Sequence, residues 1–146
     1  MTFCHVMEVA GKLRLDGATW LAVQQNLYVA FGRVGAVIEL LAILLTWVVA
    51  VQVRRRRPAF RWTVAAGLCV SAGLVVWFAL VAPVNDALSG WTPATLPPNW
   101  SSYRDRWETG HAIHAALFAA GFISLLISSL AETPEDAPAS SPGRPQ

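Results

Sequence analysis

The chain has 146 residues, 55% hydrophobic and only 14% charged, with a formal net charge of +2. Its mean hydropathy is +0.46, and too little polar sequence remains to cover a soluble core. That excludes an ordinary soluble domain and predicts an all-α, polytopic transmembrane helix bundle over residues 1–132.

In chain order, the first segment is MTFCHVMEVAGKLRL. It is too short and polar to cross a bilayer, and it lacks the charged start and apolar run of a cleavable signal. Two readings are open: the outer end of a truncated first helix in a four-helix bundle, or a short surface or re-entrant segment. Cys4 and Cys69 are expected to form neither a disulfide framework nor a metal motif.

Asp16 is placed to cap a helix that begins near Ala18 and runs without proline to Val53. Its first half, TWLAVQQNLYVAFG, is amphipathic and projects above the membrane, and along the whole helix Gln24, Tyr28, Gly35 and Glu39 lie on roughly one face. Its second half, Val34–Val53, is the first of three full spans. Arg54–Arg57 and Arg61 crowd the next link, so the positive-inside rule puts that link and the C-terminus in the cytoplasm. A basic run between two spans is a poor nucleic-acid site, and no nucleic acid is expected.

Thr63–Ala82 forms the second span, and Pro83–Gly110 reads as an outward polar link. Asn99, after two prolines, is the expected N-cap of the last helix. On that helix Trp100, Arg104, Trp107, His111 and His114 descend from water into the third span, Ala112–Ala131. Ala112, Ala116, Ala120, Ser124 and Ser128 recur every fourth residue, as do Gly67/Ser71 and Cys69/Gly73 on the second span. Such small-residue stripes suit close helix packing. Residues 133–146, rich in Pro, Ser and acids, are expected to be disordered.

Polar residues from four regions therefore converge on the outer end of the bundle. Glu39 is the costliest: a charged side chain deep in a bilayer is unfavourable by about 2.5–3.5 kcal/mol at mid-plane on insertion scales. It needs a partner or a proton, and serves either as a proton acceptor or as a structural hydrogen bond. His111 and His114 suit proton transfer, because histidine titrates near neutrality. His5 and Glu8 could join them around a metal, but the spacing matches no zinc signature, and neither metal nor cofactor is expected. Trp91, Trp100 and Trp107 fit an interfacial aromatic belt, and the latter two equally fit a ligand site.

Pro83-x-Asn85 at the end of a span, followed by Trp100, Arg104, Trp107 and His111, resembles the anthrone oxygenase family. These are small four-helix membrane proteins often described only as a domain of unknown function. The resemblance extends weakly over residues 1–131, and CHVMEV is similar to the outer end of the family's first helix. His114 stands where many members carry arginine. The resemblance implies oxidation of a lipophilic aromatic or quinone-like substrate by O2 without a cofactor. His111 is then the base; Glu39 and His114 are further catalytic candidates from their place in the spans alone. Trp107 packs the substrate, Asn85 and Arg104 orient its oxygens, and Trp100 and His5 complete the binding residues. The competing expectation is a non-enzymatic carrier or accessory subunit whose polar cluster binds a ligand or partner. On either reading the lipid bilayer surrounds the chain, in a bacterial inner membrane, and no signal fixes its oligomeric state.

Overall fold

The computed structural model describes residues 2–131; the expected disordered tail, 133–146, lies outside them. Five α-helices run in order: α1 (Thr2–Lys12), α2 (Gly17–Gln52), α3 (Arg57–Val76), α4 (Ala82–Ser89) and α5 (Trp100–Leu130). A π-helical turn, Trp77–Val81, joins α3 to α4. There is no strand among the described residues. Three stretches are long and apolar enough to cross a membrane: Phe31–Gln52, Arg57–Ser89 and Trp100–Leu130. The chain is thus an all-α bundle that fits an integral membrane protein.

Helix ends follow from local chemistry. Asp16 accepts from Thr19 N at 2.9 Å and Thr19 Oγ1 at 2.8 Å, which holds its carboxyl below the usual range and starts α2 where the sequence places it. Arg54 Nη1 donates to the Val51 carbonyl at 3.4 Å, meeting one of the carbonyls a helix C-terminus leaves open. Pro58 lies in the first turn of α3, where its missing N–H costs nothing. Asn99 is at the N-cap of α5, but its side chain makes no cap bond. Its carbonyl accepts from Ser102 Oγ at 2.8 Å instead.

Pro83 does not open a loop, contrary to the sequence expectation. The helix continues through it to Ser89, so only residues 90–99 connect α4 to α5. A proline inside a helix deprives the carbonyl four residues earlier of its donor. Here that carbonyl, Ala79 O, accepts from Arg106 Nη2 at 2.7 Å, and the π turn absorbs the distortion.

α3 and α5 form the most extensive helix pair; α2 packs on α3, and α1 packs on α5. The close approach depends on glycine. A Cβ at Gly121 would stand 3.0 Å from Val70 Cγ1, and one at Gly67 would stand 2.9 Å from Trp47 Cε2. The stripe predicted on α5 is only partly used: Ser124 and Ser128 are buried, whereas Ala112, Ala116 and Ala120 are exposed. Steps of four residues drift about 40° per step around a 3.6-residue helix, so the stripe winds off the contact face. Ser128 Oγ lies 2.8 Å from Thr63 Oγ1 and donates to Ala59 O at 3.0 Å. Cys4 and Cys69 are both free thiols.

Polarity is inverted relative to a water-soluble protein. Val37, Leu41, Leu44, Leu45, Phe122 and Leu126 point outward, and α1 exposes Phe3 and Met7 while burying His5 and Lys12. Lipid solvates an apolar exterior without cost, whereas polar groups in it need internal partners. At the α1 end the core is Trp20, Leu21, Val81, Val84, Leu88 and Trp107.

Candidate functional site

Between α2 and the other helices, at the α1 end, lies a cavity of about 680 Å³, within the range that accommodates small organic ligands. Phe31, Leu40, Leu74, Trp77 and Phe78 give it apolar walls. His5, Gln24, Glu39, Asn85, Trp107, His111 and His114 all line it. Six of these are sequence-predicted site residues; Gln24 is the addition. On α2 it shares the cavity with Tyr28, Gly35 and Glu39, the face read from helical spacing.

The α5 contribution follows from spacings of three and four residues. The Trp107 and His111 rings lie 3.9 Å apart between centroids. From α1, His5 meets His111 edge-on at 4.4 Å and Trp107 at 4.9 Å. Trp107 Nε1 donates to Asn85 Oδ1 at 2.9 Å, which fixes the indole. Asn85 thus orients Trp107 through its oxygen. Trp107 itself is 2% exposed and belongs to the core, not to an interfacial belt.

One hydrogen bond sets the chemistry of His111. Its Nδ1 lies 3.0 Å from the Trp107 carbonyl. A carbonyl oxygen can only accept, so Nδ1 carries the proton, and in the neutral ring Nε2 keeps a basic lone pair. Deeper in the cavity, His114 Nε2 lies 3.0 Å from Glu39 Oε1. Gly73 makes room for that ring: a Cβ there would stand 2.8 Å from His114 Cδ2. Glu39 thereby has the partner that its place in a span demands.

Two expected site residues stand elsewhere. Trp100 packs on Trp20, at 5.9 Å between centroids, and against Gly17. Arg104 lies 5.0 Å above the Trp100 ring, pairs with Asp105 at 3.3 Å and donates to Leu13 O at 3.4 Å. Both share the angular face of His111, but at about 1.5 Å per residue they sit roughly 16 and 10 Å further along the axis. At that level α5 meets the turn after α1, and neither side chain lines the cavity. Trp91, the expected interfacial anchor, meets Tyr103 edge-on at 4.9 Å.

The sequence reading missed a buried ionic cluster beside His5. Lys12, 4% exposed, lies 3.2 Å from Glu108 Oε1 and 3.6 Å from Glu8 Oε2. Its ammonium also stands 4.6 Å over the Trp107 ring and 5.1 Å from that of Tyr28, within cation–π range. The Tyr28 hydroxyl donates to the Glu8 carboxylate; burial first, then that bond, raises the phenol's pKa. Burial, followed by the Lys12 charge, lowers the His5 imidazole to about 4, so at neutral pH it is uncharged. The signal was available: Glu8 and Lys12 are four apart on α1, and Glu108 is three before His111.

Among the described residues, four buried side-chain atoms lack hydrogen-bond partners: His5 Nδ1, Trp20 Nε1, Gln24 Nε2 and Glu108 Oε1; His5 Nδ1 lies 3.9 Å from Glu8 Oε2. Gln25, by contrast, donates to Leu88 O at 2.8 Å and Trp91 O at 3.0 Å, closing the end of α4. Among the described residues no group of three or more His, Cys, Asp or Glu side chains is arranged to hold a metal ion. No protein-family model matches the chain, and no curated protein or solved structure matches it significantly.

Proposed function

We propose that the chain is a membrane enzyme that binds a lipophilic aromatic ketone or quinone-like molecule and takes a proton from it with His111. The observation that carries this reading is the acceptor Nε2 of His111, held by the bond from Nδ1 to Trp107 O, in an apolar cavity of ligand size. A C–H acid such as an anthrone loses its proton to that nitrogen, and the carbanion reacts with O2. Overall, anthrone and one O2 give anthraquinone and one water, so no external reductant is required. This is the chemistry of the anthrone oxygenases that the sequence resembles. Trp77 and Phe78 offer the substrate aromatic walls, Trp107 backs His111, and the Glu39–His114 pair is a second place where a proton can reside.

The basic link Arg54–Arg61 favours a cytoplasmic location for that end and for the C-terminus, in a bacterial inner membrane. The cavity then faces the opposite side. A carrier or accessory subunit is the alternative function, and a closed bundle would have favoured it. The cavity reaching both His111 and Glu39 supports the enzyme.

Binding is tested by titrating anthrone into purified protein and following tryptophan fluorescence, since Trp77 and Trp107 line the cavity. Saturable quenching is expected, weakened about tenfold or more by Ala36→Leu, which fills the cavity wall. Unsaturable quenching that Ala36→Leu leaves unchanged would sink the proposal.

A further inference from the structure

We infer that the cavity takes a chain-bearing ligand from the lipid, its neutral oxygen-bearing ring at Gln24 and His5 and its chain leaving sideways between α2 and the π turn. The inference rests on the proposed aromatic ketone or quinone-like substrate and specifies how that substrate is built and where it enters.

The cavity is long. Its lining on α2 runs from Gln24 to Leu40, about 24 Å at 1.5 Å per residue, more than a compact fused-ring molecule fills. Its two ends differ in chemistry. At one, Gln24 Nε2 has no hydrogen-bond partner in a side chain only 7% exposed, and His5 stands beside it with Nδ1 turned to Glu8 Oε2 at 3.9 Å. A buried donor without an acceptor is unfavourable by about 1–3 kcal/mol, and a ligand oxygen would remove that cost. The buried cation nearby, Lys12, is already paired with Glu108 and Glu8, so a neutral head suits this end better than a phosphate.

At the other end, Leu40 and Phe78 line the cavity and are also 56% and 61% exposed on the outside of the bundle. Both lie in apolar membrane-length stretches. The wall is therefore open at a depth where the solvent is hydrocarbon. The polar pair at that depth, Glu39 and His114, is bonded internally and asks nothing of the ligand. Midway, a Cβ at Gly32 would meet nothing within 4 Å, so the α2 wall is open at that point. The order, polar head above and apolar body below, is that of an amphiphile in one leaflet.

The test uses two photoreactive probes in bilayer nanodiscs. Each is a long-chain 1,4-naphthoquinone bearing a diazirine, beside the ring in one and at the chain end in the other. Adducts are mapped by mass spectrometry. The ring probe should label α2 near Gln24–Tyr28 or α1 near His5, and the chain-end probe should label Leu40 or Phe78. Unlabelled long-chain quinone should displace both, and chainless naphthoquinone should displace both only at higher concentration. Gln24→Leu should lower ring-probe labelling several-fold, up to about tenfold for one hydrogen bond. Adducts from both probes on outward residues such as Leu44 and Leu45, or labelling that excess long-chain quinone does not reduce, would overturn the inference, since bulk phospholipid then fills the groove. Labelling needs no turnover. Probes that label as stated without O2 uptake count against the enzyme reading alone. Turnover of chainless anthrone without specific chain-end labelling counts against this inference alone.

Discussion

His114 Nε2 lies 3.0 Å from Glu39 Oε1, joining α5 to α2 across the deep end of the cavity. Glu39→Ala leaves the buried imidazole without this partner and should destabilise the protein by about 1–3 kcal/mol. Glu39→Gln keeps a hydrogen-bonding group and should cost less. Gly73→Ala should imitate Glu39→Ala, because its Cβ would press on His114. Thermal midpoints in detergent rank the three. Equal midpoints for Glu39→Ala and wild type would mean that the pair contributes no stability.

Lys12 and Glu108 are both buried and lie 3.2 Å apart. Removing one partner of a buried pair is costly by about 3–5 kcal/mol, whereas replacing both by apolar groups is often near neutral. Lys12→Met and Glu108→Leu should each strongly lower stability and loosen α1 from α5, and the double variant should recover much of the loss. A double-mutant cycle measures that coupling; additive losses would contradict it.

Two glycines should respond in opposite ways. Gly121→Leu forces a side chain against Val70 and the Ala66 carbonyl, an overpacking worth about 1–3 kcal/mol or more. Gly32→Ala meets open space and should gain up to about 1 kcal/mol through helix propensity. Unfolding midpoints of both variants check the contrast.

The His5 imidazole sits at about 4 in the fold, against 6.5 for a free histidine, because burial and then Lys12 disfavour its charge. Between those values the unfolded chain binds a proton that the folded chain refuses. The His5 contribution to stability is therefore intact above pH 6.5. It declines as pH falls towards about 4 and levels off below. His5→Phe should remove this component, seen as the difference between wild-type and variant midpoints across pH 4–7. A constant difference over that range would contradict the assignment.

Much of this was legible in the sequence, and the exceptions have physical causes. Asp16 and the helix it caps, the three apolar stretches, and the shared face of Gln24, Tyr28, Gly35 and Glu39 follow from spacing and local capping. The convergence of Glu39, Asn85, His111 and His114 follows from membrane topology, which puts alternate helix ends together. Angular position alone misled for Trp100 and Arg104, because sharing a face says nothing of height along the helix. Pro83 read as a break because its rescue, the π turn and Arg106, comes from 23 residues away. Lys12 stayed hidden because a charge at the end of a helix looks solvated until another helix covers it, and Glu108 because its partner lies on α1, 96 residues away.

The central claim is that His111 Nε2 removes a proton from a bound aromatic C–H acid. It is tested most directly by O2 uptake with anthrone, comparing wild type with His111→Ala. The account predicts turnover in the wild type and a loss of about 10²–10⁴-fold in the variant, with anthrone binding retained. Equal rates in the two proteins, or no uptake by the wild type, would contradict it.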